Sequence, residues 1–333
     1  MSETVKHYYN EYHGHLVSDL TAVHSALRSS GSSSSSGDRP LIFTAGDSSL
    51  DNKYWFHDHA KALGGYEKVL RPPTMRQDVA YHLTSLSLRD KADGPVAINC
   101  AVEATTLNQR MYGLLPQDKF IRDNLRPSDV LVVSVGGNDI ALAPAPCTIA
   151  NMLGLICCVP KPCIENGCGV PLPCDDCCCG CGAGCLSTLL SCPPCGGYFL
   201  HLFGTRVRKY VESLVSKTKP KLVLVCMIYF LDQKPGASWA DGTLSALGYN
   251  RDPSKLQLLI RKTFEHATSK IKIPGVEVVP VPLFEVLDGT RTEDYVARVE
   301  PSAVGGRKMA EFILDKIEQG GVGAAYGATM KRN

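Results

Sequence analysis

Charge imbalance is the first thing this chain of 333 residues lacks: 35 Lys and Arg stand against 33 Asp and Glu, a formal net charge of +2. Nothing in that balance favours a phosphate backbone as ligand, so no nucleic acid is expected as a partner. No run approaches the roughly 18 consecutive apolar residues of a transmembrane helix. The N-terminal MSETVKHYYNEYHGHL carries several charges and lacks the apolar core of a secretory signal peptide. No period of three or seven runs through the chain, which excludes collagen and coiled coil for the whole. Apolar residues make up 44%, too many for a disordered chain. Cysteine, too, is scarce over most of the length. Of 15 in all, only Cys100 and Cys226 fall outside 147–195. The bulk therefore reads as a reduced, cytoplasmic protein.

The other 13 cysteines crowd between Cys147 and Cys195, well above the roughly 8 to 10% that marks a crosslinked or metal-bound segment. Ahead of them, residues 1–28 place Val5, Tyr8, Tyr12, Leu16, Leu20, Val23 and Leu27 three or four apart, which predicts an amphipathic helix. Residues 29–37, SSGSSSSSG, predict a flexible linker. A main domain is expected over 38–320, interrupted by an insertion at 143–197 and followed by a flexible tail at 321–333.

Within that domain, β-type apolar runs alternate with helical ones. Strands are predicted at Leu41 to Ala45, Val96 to Asn99, Val130 to Val135, Lys221 to Tyr229 and Val276 to Val281. Several are apolar on both faces, as strands covered by helices on both sides are. Amphipathic stretches lie near 52–63, 75–88, 105–124, 202–217, 254–272 and 302–318. The last opens at Pro301, with Val304, Met309, Phe312, Ile313 and Ile317 on one stripe. The expected fold is α/β: three α/β/α layers around about five parallel strands. Ligands of such sheets bind beyond the carboxyl ends of the strands, so the residues that follow each strand carry the functional information.

After the first strand comes Gly46-Asp47-Ser48-Ser49-Leu50-Asp51-Asn52, which places a hydroxyl at the mouth of the sheet. A serine capping the next helix is the plainer use of that motif. After the third comes Gly136-Gly137-Asn138-Asp139, where an Asn amide can donate to a developing negative charge; it is also ordinary turn chemistry. After the second comes Asn99-Cys100-Ala101-Val102-Glu103-Ala104-Thr105-Thr106.

Together these three blocks resemble the SGNH, or GDSL-type, hydrolases, which are serine esterases and lipases on a flavodoxin-like sheet. The resemblance covers about 38–320. It implies Ser48 as nucleophile and an oxyanion hole built from Ser48, Glu103 and Asn138, with Asp47, Gly137 and Asp139 in support. It implies a small-molecule or lipid ester as substrate and no cofactor for catalysis.

Two departures stand out. Glu103 occupies a position where the family usually has Gly, and a carboxylate nearby would repel an oxyanion unless it points away. The family's Asp-x-x-His-Pro pattern becomes Ala297-Arg298-Val299-Glu300-Pro301, so the usual base is missing. Glu300 can replace it, though its reference pKa lies about two units below histidine's unless burial raises it. Alternatively His57, His59 or His201 supplies the base, or the site binds without hydrolysing and the fold serves as a scaffold.

The insertion follows the Gly-Gly-Asn-Asp turn and would wall the same site. Cys174-x2-Cys177 and Cys192-x2-Cys195 stand 14 residues apart, close to a structural zinc pattern. Disulfides, or acylation beside the apolar runs at 152–156 and 186–190 with contact to a membrane surface, are the competing uses.

Overall fold

The computed structural model describes residues 3–10, 12–30, 39–89, 91–144, 146–165, 196–220, 222–236 and 238–320. Five apolar runs form one parallel sheet: β1 (Leu41–Gly46), β2 (Val96–Asn99), β3 (Val130–Ser134), β4 (Leu222–Met227) and β5 (Glu277–Pro282). Their order is β2-β1-β3-β4-β5, the flavodoxin-like arrangement. The register pairs Thr44 with Asn99, Gly46 with Ser134, and Ser134 with Cys226, so the first four strands end at nearly one level.

Alternation along each strand divides the interior into two cores. Ile42, Val132 and Leu224 face a layer that holds Val79, Leu83, Met309 and Ile313. Leu41, Phe43, Leu131 and Val223 face the opposite layer, with Leu20, Val23 and Leu27. The first layer comprises α3 (Val79–Arg89) and α7 (Ala303–Gln319). The second includes α2 (Val17–Arg28), α4 (Pro116–Asn124), α5 (Val207–Leu214) and α6 (Ser254–His266). The three-layer expectation holds.

Several elements differ in detail. Residues 1–28 are not one helix: α1 (Val5–Asn10) and α2 are separated by a turn in which Gly14 takes φ +84°. Tyr12 and Leu16, predicted on the buried stripe, lie in this connection and are each 39% exposed. Arg28 at the end of α2 makes two hydrogen bonds to Asp129, of 2.6 and 2.5 Å, and Asp129 accepts another from Leu41 N at 2.8 Å. This helix is thereby fixed to the start of β1. The stretch 52–63 holds only a single 3-10 turn (Lys53–Trp55) and a short strand (His59–Lys61) paired antiparallel with Thr74–Arg76. Strand pairing takes the residues that helical spacing claimed. Helix α7 starts after Ser302, whose hydroxyl accepts from Gly305 N at 3.1 Å, and Val304 on its first turn is 49% exposed rather than buried. No helix among the described residues is long and apolar enough to cross a membrane.

Candidate active site

The site stands at the carboxyl ends of β1 and β3, where the strand order reverses. Gly46, φ +128°, ends β1 so close to β3 that an added Cβ would stand 1.7 Å from the Ser134 carbonyl oxygen. Only glycine fits there. The chain then turns through 47–51, with Leu50 N and Asp51 N donating to Asp47 O at 3.1 and 3.0 Å. Asp47 Oδ1 accepts from Ser49 N and Ser49 Oγ at 3.1 and 2.7 Å, and Ser49 bonds on to Ser134 Oγ at 2.6 Å. The turn fixes Ser48 at the rim of an open cleft that Gly137, Asn138 and Glu300 also line.

Glu300 reaches this cleft from the other end of the sequence. It lies on a two-residue strand (Glu300–Pro301) paired antiparallel with Tyr295–Val296. The connecting Ala297 and Arg298 are both left-handed, at φ 48° and 67°, the geometry of a tight hairpin turn and an unfavourable one for side chains with a Cβ. Arg298 holds the turn: it bonds Asp241 Oδ1 at 2.5 Å, Asn250 Oδ1 at 3.0 Å and the Asp232 carbonyl at 3.1 Å. Tyr229 OH donates to Val299 O at 2.7 Å. Asn52 closes the arrangement, its Nδ2 donating to Pro301 O at 3.0 Å while its Oδ1 accepts from Val79 N at 3.2 Å.

Ser48 Oγ donates to Glu300 Oε1 at 3.1 Å, within the range for proton transfer between a nucleophile and its base. Burial pushes the Glu300 carboxyl up to about 8; the Ser48 hydrogen bond opposes this, and the nearby Asp47 and Asp51 add to it. The reference value that makes glutamate a weak base near neutrality does not apply at this position. Burial likewise lifts Asp47 to about 6.

Asn138 lines the cleft with one amide hydrogen spent on Thr105 O at 3.0 Å, leaving the second N–H of the amide for a ligand. Asp139 does not face the cleft; it accepts from Leu107 N and Asn108 N at 2.7 and 3.1 Å, anchoring the second block to the third. Glu103 is 1% exposed, so its side chain is turned inward rather than outward. Its backbone N–H donates to Asp51 Oδ2 at 3.0 Å, which occupies the group that resemblance assigned to the oxyanion. Neither Glu103 carboxyl oxygen has a hydrogen-bond partner among the described residues. Burial, and then the charge of Asp51, push this carboxyl up to about 9, so it is neutral at pH 7.

Of the alternative bases, His57 and His59 are exposed and His201 is buried on another element. None of the three lines the cleft. The candidate zinc ligands Cys174, Cys177, Cys192 and Cys195 lie outside the described residues.

Four groups escaped the sequence reading: Asn52, Arg298, the Asp51–Lys53 ion pair and Arg110. Lys53 Nζ bonds both Asp51 oxygens at 2.7 and 2.8 Å, and Asn99 Nδ2 adds a third bond to Asp51 at 2.8 Å. Arg110 donates to Gly46 O at 2.8 Å and Asp118 Oδ2 at 3.0 Å. An Asn, a Lys and an Arg carry no motif of their own, and their partners become visible only in the fold.

No known family's profile and no curated protein matches the chain. Among solved structures, it is similar to an acetyl xylan esterase from Geobacillus stearothermophilus, at 15% identity over 91% of this chain and 99% of that one, TM-score 0.41. A lipase from a goat rumen metagenome matches at 13% identity over 83% and 97%, TM-score 0.41. A lipase/acylhydrolase from Enterococcus faecalis matches at 12% over 84% and 95%, TM-score 0.38. The chain's own strand order, with Ser48 after β1 and Asn138 after β3, is that of a flavodoxin-like α/β fold.

Proposed function

We propose that the protein is a divergent SGNH-type serine esterase acting on a carboxylic ester, with Glu300 in place of the usual histidine. The observation that carries this reading is the 3.1 Å hydrogen bond from Ser48 Oγ to Glu300 Oε1 at the rim of a cleft. In its ionised form Glu300 accepts the Ser48 proton as Oγ attacks the ester carbonyl carbon. The tetrahedral oxyanion is held by Ser48 N–H and the second N–H of the Asn138 amide. The carbonyl re-forms, the ester C–O bond breaks, and protonated Glu300 returns its proton to the departing alkoxide. Water then cleaves the acyl-serine by the same steps, Glu300 taking the water proton and returning it to Ser48 Oγ. With a carboxyl that titrates at about 8, roughly a tenth of the molecules hold the basic form at pH 7.

Asp47, Gly137 and Asp139 shape the site without touching the reacting atoms. The chemistry requires no cofactor. A zinc held by Cys174, Cys177, Cys192 and Cys195 would be structural, and the insertion that carries them would supply any contact with a membrane surface in a cytoplasmic setting. Turnover of p-nitrophenyl butyrate that disappears in Ser48→Ala supports the reading; equal rates in the two proteins overturn it. One feature favours the second reading, a binding protein without turnover: burial raises the Glu300 carboxyl to about 8, which favours its protonated form at neutral pH. That reading requires no Ser48-dependent turnover even at pH 9.

A further inference from the structure

The cleft at Ser48 has an apolar neighbour. A second, partly open cavity shares four wall residues with it, Ile140, Ile228, Leu256 and Ile260. Ile140 stands two residues beyond Asn138. Ile228 follows β4 and packs under Gly137, its Cγ2 standing 3.7 Å from where a Cβ of that residue would lie. Beyond the shared wall, the cavity is bounded by Met152, Leu155 and Ile164 from the insertion and by Leu259 of α6. Apart from Thr263 and Lys262, every residue that lines it is apolar.

Resting on the esterase reading, we infer that this second cavity receives the acyl chain of the substrate, which is an ester of an aliphatic acid of about eight carbons or more. The direction follows from the three substituents of the reacting carbonyl carbon. Its oxygen points to Asn138. Its leaving oxygen must lie beside Glu300, which returns the proton to it. The acyl chain takes the remaining direction. Glu300 and its neighbour Val299 line only the Ser48 cleft, whereas Ile140, two residues past Asn138, lines the second cavity as well. A chain there meets mainly apolar side chains, and each methylene withdrawn from water favours binding about fourfold.

The test uses p-nitrophenyl esters of two, four, eight and ten carbons with the full-length protein, together with decyl and ethyl acetate. In the wild type, kcat/KM should rise at least about 100-fold from the two-carbon to the ten-carbon acyl ester. Leu259→Trp, which fills the second cavity, should cut that ratio tenfold or more. Decyl acetate, with its chain on the leaving side, should show no comparable gain over ethyl acetate. Calorimetric titration of Ser48→Ala with decanoate measures the cavity without turnover, and adding Leu259→Trp should weaken that binding about tenfold. Ser48-dependent turnover with a flat acyl profile overturns the inference and leaves the esterase intact, whether or not Leu259→Trp folds. Decanoate binding that Leu259→Trp weakens, in a protein without turnover, supports the cavity's role and overturns the esterase. A gain with decyl acetate alone overturns the assignment to the acyl side.

Discussion

Ser48 Oγ donates to Glu300 Oε1 across 252 residues of sequence, and the contact exists because Asn52, four residues after Ser48, grips the carbonyl of Pro301. Asn52 thus ties the segment that carries Ser48 to the one that carries Glu300 while bonding to neither side chain. Replacing Ser48 with Ala should abolish Ser48-dependent turnover of p-nitrophenyl butyrate. Glu300→Gln keeps the shape and removes the base, so kcat should fall about 10²- to 10⁴-fold with a smaller change in KM. Steady-state kinetics at pH 9 checks both.

The raised carboxyls link stability to pH. Glu300 at about 8, Glu103 at about 9 and Asp78 at about 7 each hold a proton in the folded state that the unfolded chain has released. Their stabilising contribution is complete below the ordinary carboxylate range and is lost as pH rises through the folded values. His82, lowered to about 4 by burial, and His15, lowered well below its usual range, act in the opposite direction below pH 6.5. The urea midpoint should therefore be highest between about pH 4 and 5 and fall steadily toward pH 9, the two histidines offsetting only part of the carboxyl contribution on the way. Glu103→Gln should flatten the alkaline fall. A midpoint that rises steadily from pH 6 to 9 would contradict this.

Arg298 occupies a left-handed conformation and is held there by Asp241, Asn250 and the Asp232 carbonyl. Its loss should release the hairpin that presents Glu300. Arg298→Ala should cost about 2 kcal/mol of stability, from lost charged hydrogen bonds and backbone strain no longer restrained. It should also lower kcat more than it raises KM, since the substrate cleft keeps its other walls. Urea unfolding and steady-state kinetics on one preparation separate the two effects.

The cysteine spacing carries a prediction of its own. Protein purified under reducing conditions should contain about one zinc per chain, and Cys174→Ser together with Cys195→Ser should remove it. Elemental analysis decides the matter; metal-free wild-type protein would retire the zinc.

The five strands were legible because each is a short, largely apolar run, as a parallel sheet covered by helices asks. Ser48 and Asn138 were legible as motifs at strand ends. The connections between motifs were not. Asn52 meets Pro301 across 249 positions, Arg110 meets Gly46 across 64 and Arg298 meets Asp241 across 57, and no local pattern encodes such pairs. Glu103 appeared as a threat to an oxyanion. In the fold it is buried with its N–H on Asp51, and that burial neutralises the charge which made it a threat. Glu300 appeared as a base weaker than histidine unless buried, and its position supplies that burial.

The central claim is that Glu300 is the base that activates Ser48, and the pH dependence of kcat/KM for p-nitrophenyl butyrate tests it most directly. The account predicts a rate that rises with pH to an inflection near 8, which disappears in Glu300→Gln. Asp47→Asn, by removing a like charge that raises Glu300, should move the inflection to lower pH. An inflection near 6.5 that survives in Glu300→Gln and vanishes on replacing His57, His59 or His201 would contradict the account.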